Sequence, residues 1–239
     1  LKITKEITPS LYELTKDIQI NLQLNNLNIE YYIYNHFEIN AACFSINNDS
    51  NLILMISSGL INLLKREELQ FVMGHEIGHY LLGHLNYVPK TNDIRLNKYF
   101  QSNEISADRF GLISCGSIEH SLKAIIKTIS GLNDKFISDN LYSFIKQHNE
   151  IDGNDTLSTT HPTLPTRAKS LVLFSMSEQY YQWIKSDKEA PIKKKNLDSL
   201  ITRYLKRTSL KEIYDYDDNI LDKFKMWYFA KVFLEHNTE

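Results

Sequence analysis

The stretch His75-Glu76-Ile77-Gly78-His79 decides how this chain of 239 residues is interpreted. It follows the helix-forming residues 65–70, and no proline interrupts the run from there to Pro89, so the pattern predicts a helix. In a helix, residues four positions apart lie about 40° apart around the axis, so both imidazoles share one face. Two neutral imidazoles at this spacing can hold one zinc ion, and Glu76 beside them can take a proton from water. The alternative is a surface helix with two solvated histidines.

A zinc ion in a hydrolase usually has three protein ligands, so the motif needs a third one elsewhere. The candidates downstream are His84, Glu104, Asp108, Glu119, His120 and His161. On a continuing helix His84 would point about 140° away from His79, so we interpret it as a structural residue at the helix end. Glu104 is better placed, because residues 103–110 have the pattern of a second helix, on which Glu104 and Asp108 share a face. Asp108 could orient a ligating imidazole through its free N–H, although an exposed acidic helix face remains the alternative.

Further segments, taken in chain order, extend the pattern around this motif. They are Asn40-Ala41-Ala42, residues 56–60, Glu67-Glu68-Leu69, the stretch 75–79, Gly83-His84, residues 104–108 and residues 161–167. Together, and in this order, they resemble the M48 zinc metallopeptidases of the gluzincin type. The resemblance covers roughly residues 10–175 and fades after that.

The resemblance implies a fold and a set of roles. The fold is α+β, a zincin-like and mainly α-helical metallopeptidase domain in residues 1–175. Beyond the resemblance, aromatic residues at helical spacing predict a helical C-terminal extension in residues 176–239, packed on or near this domain. The implied roles are His75, His79 and Glu104 as ligands of one Zn²⁺ per chain, Glu76 as general base, and Asp108 as a partner of a ligating imidazole. His161 would donate to the developing oxyanion, with Arg167 as a nearby structural or electrostatic support.

Hydrophobic patterning predicts a small sheet before the zinc helices. Residues 29–37, 39–46 and 52–56 are strand-like, and Asn47-Asn48-Asp49-Ser50 indicates a hairpin turn between the last two. We therefore expect a small, mainly antiparallel sheet. Residues 149–166 have the composition of a polar loop, and Lys193-Lys194-Lys195 that of a solvated linker.

The strand that contains Asn40, Ala41 and Ala42 is our candidate for substrate binding. An extended peptide can add to an exposed sheet edge through main-chain hydrogen bonds, and small side chains leave room for it. The alternative is that Ala41 and Ala42 simply pack under the active helix.

Composition excludes several classes of protein. A formal net charge of −2 gives no bias towards nucleic acid or anionic membranes, and no apolar stretch approaches the length of about 18 residues that a transmembrane helix needs. The two cysteines, Cys43 and Cys115, make no disulfide framework, and the absence of a CxxC pair excludes a structural cysteine–zinc site. We expect a soluble chain, cytoplasmic or, if an upstream leader was removed, periplasmic or secreted.

These observations predict a zinc metalloendopeptidase that hydrolyses extended or unfolded polypeptides. Two alternatives stay open: a catalytically restrained protein of the same fold with a chaperone-like or scaffolding role, and a zinc hydrolase acting on something other than a peptide. The aromatic-rich tail is interpreted as a helical extension, with a cover for the active site as the alternative. The natural substrate, the cleavage preference and the oligomeric state are not predicted by the sequence.

Overall fold

The computed structural model describes residues 1–45, 51–84, 94–141, 143 and 162–206, and within these ranges the chain forms eight helices and a three-stranded sheet. The elements follow in the order α1 (Pro9–Asn21), β1 (Asn28–Tyr34), β2 (Ala41–Ser45), β3 (Asn51–Ser57), α2 (Ser58–Leu63), α3 (Arg66–Leu81), α4 (Ile94–Cys115), α5 (Ile118–Ser130), α6 (Leu164–Ser175), α7 (Glu178–Trp183) and α8 (Lys194–Lys206). The structure is therefore a mixed α/β fold, as expected.

The sheet has the strand order β1-β3-β2, with β3 in the centre. β2 pairs antiparallel with β3, as the predicted hairpin requires, although the predicted turn at residues 47–50 lies outside the described residues. β1, however, pairs with β3 in parallel along seven residues, so the expectation of a mainly antiparallel sheet is wrong. The reason is topological. Successive strands alternate in direction, so the third strand runs parallel to the first. Because the third strand also lies between the first two, it pairs with the first one in parallel.

The two edges of this sheet differ. Residues 1–3 cover the outer edge of β1, where the Ile3 N–H donates to the Tyr31 carbonyl at 2.9 Å and the Ile33 N–H to the Leu1 carbonyl at 2.8 Å. Among the residues that the structure describes, no strand pairs with the outer edge of β2. The buried face of the sheet carries Leu52, Leu54 and Ile56 of β3, which alternate with less buried neighbours as a half-buried strand should.

Helices α3 and α4 approach each other closely because glycines lie between them. A Cβ atom on Gly111 would lie 2.7 Å from Cδ2 and 2.8 Å from the carbonyl oxygen of Phe71. A Cβ atom on Gly74 would likewise overlap Cβ of Ser114. The Ser114 hydroxyl donates to the Gln70 carbonyl at 3.0 Å in the same buried contact. The two helices can therefore pack this closely because Gly74 and Gly111 have no side chains.

We expect Gly111→Ala to lower the free energy of unfolding, as measured by urea denaturation. Overpacking a tight contact costs about 1–3 kcal/mol, and the better helix propensity of alanine offsets only about 1 kcal/mol of this. The control is Glu13→Ala at an exposed position of α1, where we expect a change within about 0.5 kcal/mol. A Gly111→Ala protein more stable than the parent would contradict the close approach.

A buried ion pair attaches α5 to the beginning of α3. Lys127 Nζ donates to Glu68 Oε2 at 2.7 Å, and both side chains are fully buried. The same carboxylate oxygen accepts the Lys65 backbone N–H at 2.8 Å, which caps α3. Lys127 also pairs with Asp134 at 2.8 Å, just beyond Gly131, whose left-handed backbone ends α5.

The last three described helices pack on the same hydrophobic core as the rest of the chain. Leu171 of α6, Tyr180 of α7 and Leu197 of α8 are all buried in it, and Arg109 of α4 bonds Asp198 of α8 at 2.8 Å. The predicted domain boundary at residue 175 stays a prediction.

Two loop predictions in this region are wrong. The polar loop predicted for residues 149–166 does not extend to its expected end, because α6 begins at Leu164. Pro165 lies in the first turn of that helix, where the missing N–H costs nothing. Residues 149–161 lie outside the described residues. The run Lys193-Lys194-Lys195 is exposed but leads into α8 and is not a linker, since Lys194 is the first residue of that helix.

No helix in the described ranges combines the length and the apolar character needed to cross a membrane. Cys43 and Cys115 are both free thiols, which agrees with the absence of a disulfide framework.

Candidate metal site

The predicted active helix is present as α3, and it presents both histidines towards α4. His75 and His79 lie one turn apart, so their rings meet on one face, with Nε2 of one 3.1 Å from Nε2 of the other. His75 is buried and His79 is half-buried.

Glu104 of α4 brings a carboxylate to the same point. Its Oε1 lies 3.4 Å from His79 Nε2, and its Oε2 lies 3.6 Å from His75 Nε2. Among the described residues, His75, His79 and Glu104 are the group whose ligand atoms lie within 4.8 Å of one another.

These separations can be compared with what a zinc ion requires. A tetrahedral site with bonds of about 2.0–2.1 Å holds its ligand atoms about 3.3 Å apart. The observed separations of 3.1, 3.4 and 3.6 Å lie on both sides of that value. Two imidazoles and one carboxylate are also a ligand set typical of catalytic zinc. The residues therefore fit the ion that the motif predicts.

Asp108 and Arg167 form a second, buried layer behind His75. Asp108 Oδ1 lies 2.9 Å from His75 Nδ1, and Arg167 donates to both carboxylate oxygens, from Nε at 2.9 Å and from Nη2 at 2.6 Å. Although burial opposes its charge, the neighbouring guanidinium holds the pKa of Asp108 below its ordinary value. An ionised Asp108 accepts the His75 Nδ1 proton, which leaves the lone pair of Nε2 facing Glu104. The structure thus brings Asp108 and Arg167 together behind His75, while their roles stay predictions.

Glu76 follows His75 on α3 and is half-buried. Burial raises the pKa of its carboxyl above the ordinary value, more strongly than the charges of His75 and His79 lower it. Burial raises the pKa of the Cys43 thiol on β2, and the charge of Glu76 adds to this shift. Helix α3, which carries Glu76, packs against β2.

The candidate substrate strand lies beside α3. β2 begins at Ala41, and the backbone of Asn40 extends its pairing, since the Ser57 N–H donates to the Asn40 carbonyl at 3.0 Å. Ala42 is exposed and Ala41 is half-buried. Among the described residues no strand lies along the outer edge of this segment, and its role in substrate binding stays a prediction.

His84 lies against His79, so the expectation that it points away is wrong. Its Nδ1 is 3.0 Å from His79 Nδ1. The helical angle does not apply, because α3 ends at Leu81 and the left-handed backbone of Gly83, with φ of 71°, turns the chain back. Burial lowers the pKa of His84 to about 4, and the neighbouring His79 contributes to this shift. The glycine before His84 is the signal that could have indicated this reversal.

The remaining third-ligand candidates are not part of this donor group in the described structure. Glu119 pairs with Lys123 at 3.0 Å, and the His120 ring contacts the Ser117 hydroxyl at 3.0 Å, both on or beside α5. His161 lies outside the described residues, so its predicted role as an oxyanion donor stays a prediction.

Comparison with known proteins supports the resemblance to a peptidase family. The family model of Peptidase family M48 matches residues 6–89, a segment that runs from α1 through α3 and contains His75, Glu76 and His79. No curated protein and no solved structure gives a significant match. The resemblance to the M48 peptidases is confirmed for that segment, and it indicates a metallopeptidase. Glu104, Asp108 and Arg167 lie beyond the matched residues.

Proposed function

We propose that this chain is a zinc-dependent metalloendopeptidase, with one Zn²⁺ held by His75, His79 and Glu104. The observation that carries the proposal is the mutual separation of their donor atoms, 3.1 to 3.6 Å, across two helices. The M48 match over residues 6–89 supports peptide-bond hydrolysis as the reaction.

Glu76 is the proposed general base. A zinc ion in this site would supply a Lewis acid that polarises the scissile carbonyl and acidifies a water molecule. Glu76 takes the proton of the attacking water and later delivers it to the leaving amine.

Asp108 and Arg167 are proposed to hold His75 in position. Arg167 keeps the buried Asp108 ionised by donating to both of its oxygens, and Asp108 in turn fixes the proton of His75 on Nδ1. His161 is proposed, from the family resemblance, as the donor to the developing oxyanion.

The proposed substrate is an extended or unfolded polypeptide that adds to the outer edge of β2 at Asn40, Ala41 and Ala42. Three observations support this: among the described strands none pairs with that edge, Ala42 is exposed, and β2 packs against α3, which carries Glu76. A peptide would bind to this edge through main-chain hydrogen bonds, which do not depend on its side chains. Bound in this way, it would lie beside the helix that carries the general base.

Metal analysis of the purified chain, combined with a casein-cleavage assay, tests the proposal. We expect about one zinc per chain, cleavage that stops when a chelator removes the metal, and recovery when zinc is returned. Cleavage that persists in a metal-free protein would contradict the mechanism. Zinc binding without any cleavage would favour the restrained, scaffolding alternative.

A further inference from the structure

Both ring nitrogens of His79 are in contact with other side chains. Its Nε2 faces His75 and Glu104, as described above, while its Nδ1 lies 3.0 Å from Nδ1 of His84. The two rings meet at 69°, with centroids 5.1 Å apart, which is an edge contact and not a stack. His84 therefore touches His79 on the side opposite the candidate metal ligands.

The position of the proton in this contact follows from the chemistry of imidazole. Two ring nitrogens at 3.0 Å form a hydrogen bond only if one of them carries a proton and the other does not. An imidazole that ligates a metal through Nε2 keeps its proton on Nδ1. In the loaded site, His79 is therefore the donor and His84 Nδ1 is the acceptor, which leaves the proton of His84 on its own Nε2.

We propose that His84 is the positioning residue of His79, and that it does for this ring what Asp108 does for His75. This inference rests on the proposed zinc site. The bond fixes the His79 tautomer and the plane of its ring, so that the Nε2 lone pair is directed at the position shared with Glu104.

The path of the backbone at the end of α3 places His84 in this contact. The Leu82 N–H bonds the Gly78 carbonyl and the Gly83 N–H bonds the Tyr80 carbonyl, both at 3.0 Å, and the chain then turns through the left-handed Gly83. The left-handed conformation costs a residue with a Cβ atom about 1–2 kcal/mol, whereas glycine adopts it without this steric cost. The turn brings His84 back over the helix that carries its partner.

The two ligating histidines would then have different partners. His75 bonds a carboxylate that Arg167 keeps ionised, and His79 bonds a neutral imidazole. A neutral acceptor makes a weaker hydrogen bond than a charged one, so it supports the basicity of its partner less. The effect of removing His84 should lie at the low end of the range for such outer partners, which is about 10–100-fold in metal affinity.

Nitrogen NMR of the histidine rings in the zinc-loaded protein tests the tautomers without any substitution. We expect a proton on Nδ1 and none on Nε2 of His79, together with a proton on Nε2 and none on Nδ1 of His84. A proton on His84 Nδ1 would overturn the proposal, as would a chain that binds no zinc.

Two substitutions at the same position test the acceptor itself. His84→Gln keeps an oxygen that can accept the bond, whereas His84→Leu has similar bulk and no acceptor. In competition with a chromophoric chelator, we expect the leucine protein to bind zinc about tenfold more weakly and the glutamine protein to stay within about twofold of the parent. The control is His120→Leu, since that ring contacts Ser117 and should leave zinc affinity unchanged. An unaltered affinity in His84→Leu, or an equal loss in both substitutions, would overturn the proposal.

Neither measurement depends on proteolysis. A protein that binds zinc with the expected tautomers but cleaves nothing would remove the proposed peptidase function and leave the role of His84 intact. Should the leucine protein fail to fold, the NMR result on the parent protein still decides.

Discussion

Glu76→Gln should lower the rate of casein cleavage by about 10²–10⁴-fold while the chain keeps its zinc. Glutamine has the shape of glutamate but cannot accept the proton of the attacking water. Glu76 is also not one of the three donors that lie within 4.8 Å of one another, so metal affinity should not follow the rate. The measurements are the initial rate of cleavage and the zinc content of the same preparation.

The matched control is Glu13→Gln, which removes the same charge from an exposed position of α1 and should leave the rate unchanged. Cleavage by Glu76→Gln at the parent rate would mean that the base is another residue. A loss of zinc together with the loss of activity would instead show that Glu76 takes part in binding the metal.

Glu104→Gln should weaken zinc binding by more than about 100-fold, beyond the range seen when only an outer partner of a ligand is lost. The carboxylate is the one anionic donor of the group, and it comes from α4, whereas both imidazoles come from α3. An amide oxygen offers no negative charge to the ion, so two neutral rings would have to hold it alone. Cleavage should fall with zinc occupancy and return partly at high zinc concentration.

Competition with a chromophoric chelator measures this affinity, and Glu119→Gln is the control, since Glu119 pairs with Lys123 on α5. Parent-like zinc affinity in Glu104→Gln would show that another residue completes the site. Together the two substitutions separate chemistry from metal binding, because only the first should lose activity at full zinc content.

The parts of this structure that could be predicted from sequence are those governed by helical periodicity. His75 and His79 share a face because they are four residues apart, and the same spacing brings Glu104 and Asp108 to one face of α4. Such relations are local, so a few residues determine them. The family resemblance implied Arg167 only as a nearby support, and its pairing with Asp108 was not predicted, since nothing in the local sequence connects residues 59 positions apart.

The parts that could not be predicted depend on order in space or on a single torsion angle. The parallel pairing of β1 with β3 follows from β3 inserting between its predecessors, which strand patterns alone do not reveal. The contact of His84 with His79 depends on the positive φ of Gly83. The segment before Pro165 has the composition of a loop, yet proline is also common in the first turn of a helix, where Pro165 lies.

The unequal edges of the sheet also bear on how molecules of this protein behave towards one another. The outer side of an edge strand offers N–H and C=O groups to any extended chain, including the same strand of a second copy. β2 reads Ala-Ala-Cys-Phe-Ser, without a charged residue or proline to discourage such pairing, and its length of five residues is the feature of the strand itself that limits it. A polypeptide bound along β2, as proposed above, would occupy these main-chain groups and would keep a second copy of the protein from pairing there.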